Sequence, residues 1–303
     1  EVISFETGKK YACKVLKSKF YKNMENDEKI NKLKNELIIL MNMKHPAIIE
    51  FIGYNSIDFK NLLNPVILTE LAANRSLESI LQLQRNGLAN DIWTDTKKLI
   101  NIYGIASSMS YLHSLNILHR NLKPSNILLD ELIHPKLSDF GFAKSIDDKD
   151  TDNNMSPKCL LGTYPYISPE IYENQEYSKA SDVYAFSLIV YEILTSQKPF
   201  FGSTFYEIMM NVTKGHRPEI KDLLPNCFKK LIQDCWSQDP SKRPSFDDIL
   251  KKLRNDKEFI SENVNKDEFF DYVHKIDKRQ SNFEHKLLQI IDYEAIYQKQ
   301  KVV

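Results

Sequence analysis

Eight glycines in 303 residues, no two of them close neighbours, limit what this chain can fold into more than any other feature of its sequence. The nearest pair, Gly202 and Gly215, is too widely spaced for a G-x-G-x-x-G turn, a P-loop or a G-x-S-x-G elbow. Each of those motifs needs glycine where the backbone takes positive φ or approaches a phosphate closely. Dinucleotide-binding folds, P-loop NTPases and α/β-hydrolases therefore lose their usual sequence support. The H-E-x-x-H pattern of zinc peptidases is absent as well.

Charge and cysteine usage narrow the class further. Lys plus Arg is 41 and Asp plus Glu is 41, so no net field draws the chain to nucleic acid or to an anionic membrane. A hydrophobic share of 42%, with 11% aromatic residues, is ample for a packed interior. Cys13, Cys159, Cys227 and Cys235 form no C-x-x-C pair, which removes a zinc ribbon or dithiol site and fits a reducing, cytoplasmic compartment. Cys227 and Cys235 read as core residues of one helix. The longest apolar runs fall far short of a membrane span, and the opening at Glu1 has no signal-peptide pattern.

Along the chain, Val2-Ile3-Ser4-Phe5 and Tyr11-Ala12-Cys13-Lys14-Val15-Leu16 flank a turn at Glu6 to Lys9 and predict a hairpin with a lysine in mid-strand. Helical periodicity runs from Asn26 to Met43, and Pro46 closes it. Extended runs follow at Ile48 to Tyr54 and Pro65 to Leu71. Beyond Ala72 the pattern turns helical, over Ser76 to Gln84 and Thr96 to Leu115, with a loop bearing two short apolar runs at Ile117 to Asp139. Ser178 to Thr195 is apolar on all sides, as a helix buried all round would be. The polar stretch Asp147 to Asn154 predicts a mobile loop. The last fifty residues carry Phe269, Phe270, Tyr272, Val273 and Ile276 on amphipathic helices outside the main core, docked on the helical part or on a partner.

The most informative block is His119-Arg120-Asn121-Leu122-Lys123-Pro124-Ser125-Asn126, followed by Ser138-Asp139-Phe140-Gly141. Here the chain resembles the eukaryotic protein kinases, whose catalytic loop reads H-R-D-L-x-x-x-N and whose metal loop reads D-F-G. The resemblance runs from residue 1 to about 253. It implies an α+β, two-lobed kinase fold: a small β-rich N-lobe with one main helix (1–69), a hinge (70–75), a larger helical C-lobe (76–253) and a helical C-terminal extension (254–303).

The same resemblance implies ATP and Mg²⁺ as cofactors. Asn126 and Asp139 would face the metal, Lys14 would contact the α and β phosphates, and Glu36 would pair with that lysine. Thr69 stands at the gatekeeper position, Glu70 to Ala72 would present backbone to adenine, and Val2, Ala12 and Leu128 would sandwich the ring. His119 would stack with Leu40, Phe51 and Phe140 rather than act as a base. Ser168-Pro169-Glu170 resembles the end of an activation segment, Arg243 its ion-pair partner, and Asp182 the brace of the catalytic loop. Thr151, Ser156 and Thr163 are candidate phosphosites, with Arg120 as the acceptor of such a charge. Lys123, together with Gly162-Thr163, resembles serine/threonine kinases, and Gly215-His216-Arg217-Pro218 with Cys235-Trp236-Ser237-Gln238-Asp239-Pro240 resembles the tyrosine-kinase-like group.

Two departures stand out. Glu1-Val2 resembles the residues just after the third glycine of the family's glycine-rich loop, so the expectation is a chain truncated before that loop, with its first strand missing. Asn121 occupies the position of the catalytic Asp, and a carboxamide has no basicity comparable to a carboxylate. Three functions follow as expectations. The first is an ATP- and Mg²⁺-binding kinase-like domain with impaired phosphotransfer, acting as a scaffold or allosteric partner in signalling. The second is an active serine/threonine kinase that tolerates Asn121 and phosphorylates protein substrates. The third is a non-catalytic interaction module. The partners implied are a protein substrate or a regulatory protein.

Overall fold

The computed structural model describes residues 1–15, 36–62, 64–89, 91–146, 164–174, 176–220 and 224–283, with side chains as far as residue 278. The candidate phosphosites Thr151, Ser156 and Thr163, together with Cys159, the expected loop at 147–158 and the expected helix start at 26–35, lie outside these residues.

The N-terminal part is an antiparallel sheet of β1 (Val2–Ile3), β2 (Lys10–Val15), β3 (Phe51–Asn55) and β4 (Val66–Glu70), in the order β1-β2-β4-β3. One helix, α1 (36–42), accompanies it. The β1–β2 hairpin turns at the predicted place, with Gly8 at φ 67, a value glycine takes without steric cost. The run from Ile48 is not wholly strand. Ile48 and Ile49 are 2% and 4% exposed, and this segment bridges in parallel to Leu137, so it leaves the sheet to be buried between the two halves of the molecule.

The second half is helical: α2 (Leu77–Arg85), α3 (Asp95–Ser114), α4 (Pro169–Asn174), α5 (Lys179–Thr195), α6 (Phe205–Thr213), α7 (Asn226–Cys235), α8 (Phe246–Asn255) and α9 (Lys266–Phe283). Three short ribbon strands, β5 (Ile117–Leu118), β6 (Ile127–Leu129) and β7 (Pro135–Leu137), fall within the loop expected between α3 and the Asp139 turn, and β8 (Lys144–Ser145) pairs with β5. Helix α5 is buried along almost its whole length, as its apolar sequence predicts. Ser178 caps its start, with Ser181 Oγ accepting from the Ser178 amide, and Ser196 ends it at φ 57. Helix α7 buries Cys227 and Cys235 together with Phe228, Leu231 and Ile232, the spacing of one helix face.

Beyond residue 253 the chain stays attached to this core. Phe269, Tyr272, Val273 and Ile276 of α9 are buried against α3, and each such side chain is worth roughly 1.5–3 kcal/mol before its conformational entropy is counted. Polar anchors set the register: the Asn265 amide donates to Thr96 Oγ1 (2.8 Å), Lys97 pairs with Glu268, and Arg254 pairs with Asp277. The tyrosine ring lies 4.6 Å from that of His134, in the β6–β7 turn. Gly104, in the middle of α3, leaves room for this approach. A Cβ there would meet the Tyr272 hydroxyl and would stand 2.5 Å from Pro135 Cγ.

Candidate active site

The loop from His119 to Asn126 is fastened from below by one carboxylate. Asp182, in the first turn of α5, accepts the amides of His119 and Arg120 (3.0 Å each) and the Nε2–H of His113 (3.0 Å). Burial by itself would raise the Asp182 carboxyl, but the hydrogen bonds from His113 and the loop backbone outweigh it and hold the group below its usual range. The anchorage supports a left-handed residue, Arg120 at φ 64, a conformation that costs a non-glycine residue of order 1 kcal/mol. The guanidinium of Arg120 lies 4.3 Å from the centroid of the Tyr177 ring.

His119 is fully buried, and its role follows from its two nitrogens. Nδ1 accepts the Asn121 amide (3.3 Å), so the proton sits on Nε2, which donates to the Ser138 carbonyl (3.2 Å). Burial lowers its pKa against the opposing charges of Asp182 and Asp139, so the ring stays neutral. It meets Phe140 edge to face at 5.3 Å, and Leu40, Phe140 and the half-buried Phe51 belong to the same core.

The β6–β7 ribbon brings the two ends of the block together. The Asn126 carbonyl accepts both the amide (2.9 Å) and the hydroxyl (2.8 Å) of Ser138, which sets Asn126 beside Asp139. Asn126 Nδ2 donates to the Asn121 carbonyl (2.8 Å), and Asn121 Nδ2 donates to Asp139 Oδ2 (3.0 Å). Asp139, like Arg120, takes positive φ, at 64. These bonds leave Asn126 Oδ1, Asp139 Oδ1 and Asn121 Oδ1 as the oxygens able to accept from a ligand. An all-oxygen donor set of one carboxylate and carboxamides fits a hard divalent cation such as Mg²⁺. Among the described residues no three His, Cys, Asp or Glu side chains gather into a metal site, so the Asn126 and Asp139 oxygens suit a cation that arrives with further oxygen ligands, as one bound to phosphates does.

On the sheet, Lys14 Nζ donates to both oxygens of Glu36 (2.9 and 2.7 Å) while its side chain stays 51% exposed, leaving its third N–H for an anion. Ala12 stands opposite Thr69, and Lys14 opposite Ile67, so Ala12, Lys14 and Thr69 share one face. Val2 stands opposite Tyr11, and the register does not bring it to that face. Leu128 stands opposite Lys136, whose ammonium reaches the Glu70 carboxylate (2.8 and 3.0 Å), so Leu128 lies on the ribbon face turned toward the hinge. Lys123 is half-buried on the same loop as Asn121.

Glu170 and Arg243 meet as a two-pronged ion pair with both contacts at 2.8 Å, and Arg243 also donates to the carbonyls of Ala180 and Ser237 (2.9 Å each). Sequence reasoning missed His113, Tyr177 and Lys136. Each is an ordinary helix or loop residue by local pattern, and only the fold aims it at Asp182, Arg120 or Glu70.

Comparison with known proteins agrees with this arrangement. The model of the protein kinase domain matches residues 1–253. Similar proteins include a putative serine/threonine-protein kinase/receptor of Acanthamoeba polyphaga mimivirus, 32% identical over 250 residues that make up 82% of this chain and 14% of that protein. A probable serine/threonine-protein kinase, drkC, of Dictyostelium discoideum is 31% identical over 76% of this chain and 30% of its own length. The serine/threonine-protein kinase VIK of Arabidopsis thaliana is 34% identical over 76% of this chain, which spans 52% of it. Among the described residues no helix is long and apolar enough to cross a membrane. With the motif residues assembled as above and the family model matched over most of its length, this chain belongs to the protein kinase family.

Proposed function

We propose that this chain is a serine/threonine-type kinase domain that binds ATP with Mg²⁺, transfers phosphate slowly, and acts in signalling largely through its nucleotide-bound conformation on a protein partner. The observation that carries this reading is the Asn121 carboxamide, donating through Nδ2 to Asp139 at 3.0 Å. Its remaining oxygen can accept a hydrogen bond from a substrate hydroxyl and orient it, but it cannot take the proton.

The rest of the constellation suits nucleotide binding. Lys14, held by Glu36, would pair with the α and β phosphates, the 70–72 backbone would hold adenine, and Asn126 and Asp139 would hold the cation. When bound, that cation would neutralise charge on the phosphates. Lys123 would add a positive charge beside the acceptor hydroxyl.

A general base is typically worth about 10² to 10⁴ in rate. Set against a usual kinase turnover of about 1 to 100 s⁻¹, turnover here is expected at about 10⁻⁴ to 1 s⁻¹. The test is Asn121→Asp in the intact protein, assayed for phosphate transfer and for ATP affinity. A rise of at least tenfold in turnover, with affinity little changed, supports the proposal. Equal turnover in both forms at an ordinary kinase rate would instead establish an active kinase that tolerates Asn121. That second reading draws support from the formed Lys14–Glu36 and Glu170–Arg243 pairs.

A further inference from the structure

The segment that would face adenine is fastened only at its ends. Among the described residues the backbone of 71–73 makes no well-formed hydrogen bond to the rest of the protein beyond the turn at 73–74, so its groups can face a ligand. Just before it, the Glu70 carboxylate accepts the Glu50 amide (2.9 Å) and both contacts from Lys136 Nζ (2.8 and 3.0 Å). Just after it, the Asn74 amide donates to the Leu129 carbonyl (3.0 Å), and Asn74 Nδ2 donates to the Asp130 carbonyl (2.7 Å). Lys136 lies on β7, while Leu129 and Asp130 lie on and just after β6. Both ends of the hinge are thus tied to one ribbon, the ribbon that also aligns Asn126 with Asp139.

We infer that Lys136 is a positioning residue for nucleotide binding, holding the hinge backbone in register with the adenine site through Glu70. The pair is built for this. Its side chains are only 13% and 21% exposed, so the contact is largely shielded from water, and charge-assisted hydrogen bonds in such a setting are stronger than surface pairs. Lys136 stands directly opposite Leu128, so the residue expected under the adenine ring and the residue fixing the hinge move as one cross-strand unit. Without the ammonium, the Glu70 carboxylate keeps only the Glu50 amide, and the hinge end is free to shift. The inference rests on the nucleotide-binding reading above.

The test is titration calorimetry of the intact protein with adenosine and, separately, with ATP and Mg²⁺. Lys136→Met should weaken both ligands by the same factor, about fivefold to thirtyfold, because the hinge contacts the part they share. Lys136→Arg should keep most of the affinity. Lys14→Met should weaken ATP and leave adenosine unchanged. Affinities within twofold of wild type in Lys136→Met, or a loss confined to ATP, would overturn the inference. If the unaltered protein binds neither ligand, the nucleotide reading fails, and amide exchange then decides the clamp on its own. Exchange at Glu50 and Glu70 at least tenfold faster in Lys136→Met would uphold it, and unchanged exchange would overturn it.

Discussion

Replacing Arg243 with Met should be among the most damaging single changes in this protein, and the structure says by how much. The arginine side chain is fully buried and spends its donors on four contacts, two to the Glu170 carboxylate and one each to the carbonyls of Ala180 and Ser237. Methionine fills a similar volume, so the cost is electrostatic rather than a cavity. Breaking a buried pair from one side costs about 3–5 kcal/mol, because the partner charge is left without compensation. Here Ser168 and Ser181 both still donate to Glu170 Oε1, which places the loss near the lower end, about 3 kcal/mol. That corresponds to a fall in melting temperature of about 6 to 12 °C.

The pH dependence supplies a second readout. Burial pushes the Glu170 carboxyl up, but Arg243 and Ser168 outweigh it and hold the group below its ordinary range. A carboxyl depressed in the folded state contributes stability that is present above its unfolded pKa and lost as pH falls through the folded value. In Arg243→Met that contribution disappears, so the gap to wild type should be widest at neutral pH and narrow on acidification. Thermal unfolding of wild type, Arg243→Met, Glu170→Gln and the double variant at pH 7 and pH 4.5 measures all of this. The double variant should be more stable than Arg243→Met alone, since the orphaned charge is gone. A drop under 2 °C in Arg243→Met, or strictly additive losses in the double variant, would refute the reasoning.

Gly104→Ala should destabilise the protein despite alanine's better helix propensity, because the new methyl meets the Tyr272 hydroxyl and Pro135; chemical denaturation should show a loss of about 1–3 kcal/mol. Tyr272→Phe should be neutral or slightly stabilising in the same assay, since the buried hydroxyl has no hydrogen-bond partner among the described residues. His45 is pushed down to about 3 by burial and by the neighbouring Lys136 ammonium, so it stays neutral in the fold and protonates on unfolding. It therefore withdraws stability as pH falls from about 6.5 toward 3, at most about 1.4 kcal/mol per pH unit, and His45→Gln should flatten the pH dependence between pH 6.5 and 5 in denaturation curves.

Much of the frame can be read from local pattern. Helix α5 follows from its unbroken apolar run, and the β1–β2 hairpin from its turn residues, because periodicity and turn chemistry act over a few residues. The buried face of α9 was visible as an aromatic cluster, but its seat was not. Nothing around Gly104 in the sequence signals that a helix more than half the chain later needs the space. The Ile48-Ile49 run looked like strand because apolar continuity does not say which neighbour will bury it. The pieces Gly215 to Pro218 and Cys235 to Pro240 are separate in sequence, and Arg217 joins them, donating to the Trp236 carbonyl (3.0 Å) and to Gln238 Oε1 (2.7 Å). At the candidate site the residue types were legible, whereas the Asn121 to Asp139 bond and the Lys136 to Glu70 pair come only from how distant segments are folded onto each other.

The parallel bridge between Ile48 and Leu137 bears on how such a molecule can be taken apart. The Ile49 amide donates to the Leu137 carbonyl (2.9 Å), and the Leu137 amide to the Ala47 carbonyl (2.7 Å), so a strand from near the middle of the chain completes backbone pairing for a segment from early in it. A fragment cut at the hinge would expose Ala47, Ile48 and Ile49 and leave the Ile49 amide and the Ala47 carbonyl unpaired, and a chimera carrying only residues 1–69 from a donor would import one half of a joint without the other. The smallest transferable piece is discontinuous: the early sheet together with β6 and β7. Recombination among related genes that respects this rule should yield folded progeny, and crossovers between residues 70 and 134 that break it should not.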